Sequence, residues 1–154
     1  MSAPIPRNPT DRKRTLDALA SADAACLARD YAALGDDLPA AIAVRGPEIG
    51  MVMLRGRIGG GGAPFNLGEA TVTRATVRLA SGEVGHSVIL GRDVEKSRIV
   101  AHLDALAQRD DWQDRIEATF VAPALAALSA SRKRRAEETE ATRVDFFTMV
   151  RGED

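Results

Sequence analysis

The sequence predicts an α+β fold: an antiparallel β-sheet with an N-terminal helical hairpin and C-terminal helices, closing with a C-terminal strand. Three observations carry this reading. Apolar residues recur at helical spacing through the first part of the chain, alternate between Ala41 and Leu90, and return to helical spacing after Asp93. Helices and strands thus come in blocks, not in the strand-helix alternation that builds a parallel sheet. A chain of 154 residues suits one domain, which buries roughly 70% of the surface its unfolded form exposes. Within it, residues 1–40 read as the hairpin, 41–91 as a β-meander, 92–142 as helices and 143–154 as the closing strand or tail.

Asn8 and Pro9 have the chemistry of an N-cap and first helical position, and Leu16, Leu19 and Ala20 make one apolar stripe, so a first helix ends near Ser21. Ser21 can cap a second helix, in which Leu27, Tyr31 and Leu34 share a face and Gly35 supplies the stop. Strands follow over Ala41–Val44 and Ile49–Ile58 around a Gly46-Pro47 turn, then over Glu69–Leu79 and Val84–Leu90. Asp93 reads as the cap of a helix to about Gln108 with Ile99, Val100, Leu103 and Leu106 inward. Asp110 or Asp111 opens a helix carrying Trp112, Ile116 and Phe120 on one face. Pro123 interrupts or restarts it, and a last helix runs from Ala124 to about Thr142.

The tail, Arg143 to Gly152, is apolar on both sides: Val144, Phe146 and Val150 alternate with Phe147 and Met149. Such a strand needs cover on both faces. It either completes the local sheet or docks on, or swaps into, another chain, so Phe146, Phe147 and Met149 are candidate interface residues. The strand faces add others. Val52, Leu54 and Ile58 form a core face, leaving Met51, Met53, Arg55 and Arg57 opposite; Thr71, Thr73, Ala75, Val77 and Leu79 face away from Val72, Arg74, Thr76 and Arg78. Met53, Arg55, Arg57, Arg74 and Arg78 then lie on a solvated face, a protein interface or a phosphate site.

Formal charge is −1 with both signs mixed along the chain, which argues against nucleic acid or an anionic membrane as the main target. Arginine accounts for 18 of the 21 basic residues; phosphate recognition through guanidinium forks is one cause and GC-rich coding is another. Cys26 is the only cysteine, so an intrachain disulfide and a multi-cysteine metal site are excluded. It reads as a small space-filler in an Ala-rich helix. No stretch approaches a membrane span, and MSAPIPRNPTDRKR lacks the apolar core of a signal peptide, so a soluble, cytoplasmic protein is expected.

Material for catalysis is scarce. Gly59, Gly60, Gly61 and Gly62 are followed by Ala63-Pro64, not by the Lys-Ser/Thr of a phosphate loop, so they read as a flexible connection whose backbone still permits an anion or ligand to approach. His86 reads as a hydrogen-bonded structural residue and His102 as polar-face decoration. Ser87 points away from His86, so the two make no triad. The Arg132–Arg135 run is compensated by Glu137 and Glu138 at i, i+4. No residue qualifies as catalytic, and no metal ligand set or bound cofactor is expected.

Several segments in order, Gly50–Gly60 (GMVMLRGRIGG), Gly68–Leu79 (GEATVTRATVRL), Gly82–Gly91 (GEVGHSVILG) and Val144–Gly152 (VDFFTMVRG), resemble the PhnG family, the G subunit of the bacterial carbon-phosphorus lyase system. The resemblance implies a place in the core complex with the H, I and J subunits, and work with the L protein. There a phosphonate displaces adenine from C1′ of ATP's ribose to give α-D-ribose 1-phosphonate 5-triphosphate. It further implies that nucleosidase chemistry belongs to the I subunit and that S-adenosylmethionine and an iron-sulfur cluster belong to J. Self-association through the tail is the other partnership to test. The competing classes are a stand-alone phosphate- or nucleotide-binding enzyme and an assembly adaptor unrelated to phosphonates.

Overall fold

A computed structural model of the chain describes residues 9–142. Helix α1 (Pro9–Ser21) is followed by α2 (Ala24–Ala32), strands β1 (Ala41–Gly56), β2 (Phe65–Leu79) and β3 (Val84–Leu90), then α3 (Val94–Leu106), α4 (Asp110–Ile116) and α5 (Ala122–Ala141). The strands form an open antiparallel sheet in the order β1-β2-β3. The predicted closing strand falls outside the described residues.

α3 is the centre of the molecule. It packs on the sheet, while α1, α2 and α4 pack on it in turn. It is buried on every side, from Ser97 through Leu106 with only Arg98 left out. The predicted Ile99, Val100, Leu103 and Leu106 are all in the core. Asp93 caps it as expected, its carboxylate accepting from the Lys96 N–H at 2.9 Å. The Lys96 ammonium then donates to the carbonyls of Ala20 and Ala22, both at 2.7 Å. It thereby satisfies carbonyls at the end of α1 that lack intrahelical partners. Burial pushes its pKa down, against the opposing pull of Asp93 and Asp23.

Several boundaries differ from the sequence reading. Asp23, not Ser21, caps α2, accepting from the Cys26 N–H at 3.0 Å. α1 and α2 are consecutive, but each rests on α3. Gly46-Pro47 does not turn the chain between two strands; it sits within a single β1 as an irregularity in pairing between Ala43 and Glu48, with a cis peptide bond. Glycine is required there, because φ is +68° and a Cβ would lie 2.7 Å from the Arg74 carbonyl oxygen. β2 starts at Phe65 rather than Glu69, and α5 starts at Ala122 after a π-helical turn, Glu117–Val121. Trp112, Ile116 and Phe120 are buried together as predicted.

Two side-chain placements are corrected as well. Cys26 is exposed and does not fill core space. His102 is buried, its Nδ1 2.6 Å from the Tyr31 hydroxyl. Helical spacing could not show this, since its neighbours on all sides of α3 are buried too. Burial lowers the His102 pKa, with the Pro39 carbonyl opposing and Arg98 adding to the shift. The neutral ring is therefore favoured by folding, so its contribution is complete above about pH 6.5 and is lost as pH falls below that. Thermal denaturation at pH 7.5 and pH 5 is expected to show a lower transition at pH 5. The difference should shrink in His102→Gln; an equal difference in both proteins would assign it to other groups.

Candidate functional site

One face of the sheet is covered by α3: Thr73, Ala75, Val77 and Leu79 of β2 and Ser87 and Ile89 of β3 are buried there. Ser87 accepts from the Ala75 N–H and donates to the Ser97 carbonyl at 2.8 Å, so its hydroxyl is committed to structure. His86 lies on the opposite side, exposed, with Nδ1 3.1 Å from the Thr76 hydroxyl. The pair is no nucleophile and base.

Beyond the reach of β3 the sheet narrows to two strands. β3 ends its pairing at Val72↔Leu90, whereas β1 and β2 continue from Met51↔Thr71 to Gly56↔Phe65. This ribbon is apolar on both faces. Met51 and Met53 stand opposite Thr71 and Glu69 on one face, while Val52 and Leu54 stand opposite Ala70 and Gly68 on the other. Met51 is 69% exposed and Leu67 66%. The apolar surface continues across the uncovered sheet face through Ile42, Val88 and Leu90, all exposed.

The predicted core face of β1 is therefore wrong. Val52 and Leu54 are exposed and Ile58 is 79% exposed, because no helix of the described residues lies over this part of the sheet. The proposed interface residues also split between surfaces. Met53 follows the side of Thr71 and Thr73, whereas Arg74 and Arg78 follow the side of Val72 and Ala70. Arg74 is engaged: its Nε donates to Glu48 at 2.6 Å, and Arg45 reaches the same carboxylate at 2.7 Å. Hydrogen bonding from Arg74, helped by both positive charges, holds the Glu48 pKa below its ordinary value. Arg55, Arg57 and Arg78 are exposed. Gly59–Gly62 lie at the tip of the ribbon, where a short 3₁₀ turn spans Ile58–Gly60 and the Gly62 N–H donates to the Ile58 carbonyl at 3.3 Å. Phe146, Phe147 and Met149 lie outside the described residues.

The polar constellation that sequence reasoning missed is Arg12, Asp104 and the β3 backbone. Asp104 is 1% exposed. Its carboxylate accepts both arms of Arg12 at 3.1 and 2.7 Å and the His86 N–H at 2.8 Å, and Arg12 also donates to the Val84 carbonyl at 3.0 Å. This fork joins α1, α3 and β3 and leaves no free acid. Among the described residues no cluster of His, Cys, Asp and Glu has the makings of a metal site, and no helix is long and apolar enough to cross a membrane.

A two-stranded ribbon is at best marginally stable alone in water, and large exposed apolar patches in general mark interaction sites. The family described as phosphonate metabolism protein PhnG matches residues 10–152. A protein of Rhizobium meliloti (strain 1021), named alpha-D-ribose 1-methylphosphonate 5-triphosphate synthase subunit PhnG, is 60% identical over 119 residues, which is 77% of this chain and 76% of that protein. With its sheet, ribbon and central helix read from the same sequence that carries these matches, the chain belongs to the PhnG family of phosphonate metabolism proteins.

Proposed function

We propose that this chain is a supporting subunit of the carbon-phosphorus lyase core complex, docked through the β1–β2 ribbon and the uncovered sheet face. The reaction it serves is transfer of a phosphonate to C1′ of ATP's ribose with release of adenine, giving α-D-ribose 1-phosphonate 5-triphosphate. The observation that carries the reading is the ribbon, apolar on both faces in a protein 60% identical to a named synthase subunit. Met and Arg are enriched in interface cores, which suits Met51, Met53, Arg55 and Arg57 at the ribbon's end. Arg78 supplies the rim of the uncovered face.

The chain's own groups fit a supporting role. His86 and His102 differ in environment, one exposed and one buried, and Asp104, the buried carboxylate among the described residues, is engaged by Arg12. One cysteine cannot ligate an iron-sulfur cluster through four thiolates. The S-adenosylmethionine-dependent cleavage step and the cluster are assigned to the J subunit and the nucleosidase step to the I subunit, with the H and L proteins as further partners in the cytoplasm.

The test is pull-down of the tagged chain from phosphate-starved cells, with mass spectrometry expected to recover the H, I and J subunits. Met51→Glu with Met53→Glu should abolish that recovery and shift the thermal transition of the isolated chain little, since exposed substitutions cost within about 0.5 kcal/mol. Unchanged recovery would return the ribbon to solvent. Purified alone, the chain should release no adenine from ATP, and omitting it from a reconstituted first step should lower product yield.

A further inference from the structure

The second half of α5 is unlike the rest of the protein. From Arg132 to Ala141 every residue is exposed, and the helix carries a basic run, Arg132-Lys133-Arg134-Arg135, followed by an acidic one, Glu137, Glu138 and Glu140. Short polar helices are marginal alone and draw stability from packing. At its other end α5 forms one wall of a groove of about 550 Å³ between α2 and the start of α5. Leu27, Phe120, Pro123, Ala124, Ala127 and Leu128 line it.

The charge order has a direction. Two copies of α5 laid antiparallel about Ala136 place Arg134 opposite Glu138 and Arg132 opposite Glu140, in both directions. A parallel pair would set like charges together. Exposed ion pairs add little affinity but do fix orientation and register.

The same geometry gives the apolar tail a destination. With α5 antiparallel about Ala136, Thr142 stands beside Ala130 of the second copy. Were the chain to continue extended from there, about 3.3 Å per residue against about 1.5 Å per helical residue would bring Phe146 about 13 Å farther, to the level of Phe120 and Ala124. That is the groove. Folding back within one chain does not achieve this, because Phe120 lies about 33 Å along α5 from Thr142. Only residues near the end of the chain would reach so far.

We propose that the groove between α2 and α5 binds the segment Val144–Val150 of a second copy of this chain, reciprocally, about an antiparallel α5 pair. The interface is isologous and closes at two copies. Phe146, Phe147, Met149 and Val150 from both copies bury on the order of 1,000 Å² of side chain, approaching the area of a stable interface. The proposal does not depend on the role of the β1–β2 ribbon.

Cys26 makes a direct test possible, being the only cysteine, exposed, and on the groove wall. Mild oxidation of full-length Phe147→Cys is expected to give a reducible species at twice the 16.4 kDa chain mass. A disulfide confined to one chain would overturn the exchange. Sedimentation should show the parent protein as a dimer and the chain truncated after Arg143 as a monomer with its thermal transition kept. Should either variant fail to fold, the charge pair decides. Arg134→Glu should weaken the dimer at least tenfold, and Arg134→Glu combined with Glu138→Arg should restore it. A monomeric parent protein at high concentration, or no recovery in the double variant, would overturn the proposal. None of these variants touches the ribbon, so their failure leaves the subunit reading intact.

Discussion

Gly85→Ala is expected to prevent the chain from folding, or to cost more than about 3 kcal/mol, the upper end of ordinary overpacking. At Gly85 the β3 backbone lies close against α3. A Cβ placed there would lie 1.9 Å from the Ala101 carbonyl oxygen, 2.5 Å from the Ala105 nitrogen and 2.9 Å from the Ala105 Cβ. The first two obstacles are helix backbone, which cannot swing aside as a long side chain can. Relief requires α3 to move off the sheet, yet α1, α2 and α4 hold it from behind. The cost is steric and owes nothing to backbone conformation, since Gly85 has no positive φ. Urea unfolding followed by circular dichroism measures it. A variant within about 0.5 kcal/mol of the parent would mean that helix and strand have room the geometry denies.

Removing Arg12 should have an effect of similar size. Arg12→Met keeps much of the aliphatic length and leaves the Asp104 carboxylate buried, with only the His86 N–H donating to it. Breaking a buried pair by deleting one partner costs about 3–5 kcal/mol, because the remaining charge is stranded. Arg12 itself keeps about a third of its side chain exposed, so Asp104→Ala should fall toward the lower end, the guanidinium recovering some water. The double change Arg12→Met with Asp104→Leu should recover much of the loss, as apolar replacements of buried pairs do. Chemical denaturation of the three variants gives the cycle. A double variant no better than Arg12→Met alone would show that the β3 backbone contacts, not the stranded charge, set the cost.

Much of this fold was legible in the sequence where a local rule had no competitor. Asp93 followed by an apolar helix, and alternation ending at Leu90, fix α3 and β3 closely. Val52 and Leu54 show the limit of the same rule. Alternation says which residues share a face, but not whether anything covers it. Among the described residues nothing covers the ribbon, so a pattern that elsewhere marks core marks exposed surface. His102 and Asp104 were hidden for a different reason: α3 is surrounded, and a polar residue on a fully buried helix has no polar side to point to. Arg12 lies 92 residues from its partner, a separation no local pattern spans. At the candidate site Met53 and Arg55 are exposed, and grouping Met53 with Arg74 fails because β1 and β2 present those two to opposite sides.

The uncovered edge of β1 sets a condition on how the protein is made. Sixteen residues of edge strand with apolar side chains on both faces form a template for indiscriminate pairing with other strands. Arg45, Glu48 and Arg55 interrupt that template with charge, and the Gly46-Pro47 irregularity breaks its register, so natural gatekeepers are present but sparse. On the proposed docking, copies synthesised in excess of the partner that covers the ribbon are the ones expected to aggregate or be degraded, and matched supply of the two sides becomes a requirement written into the strand itself.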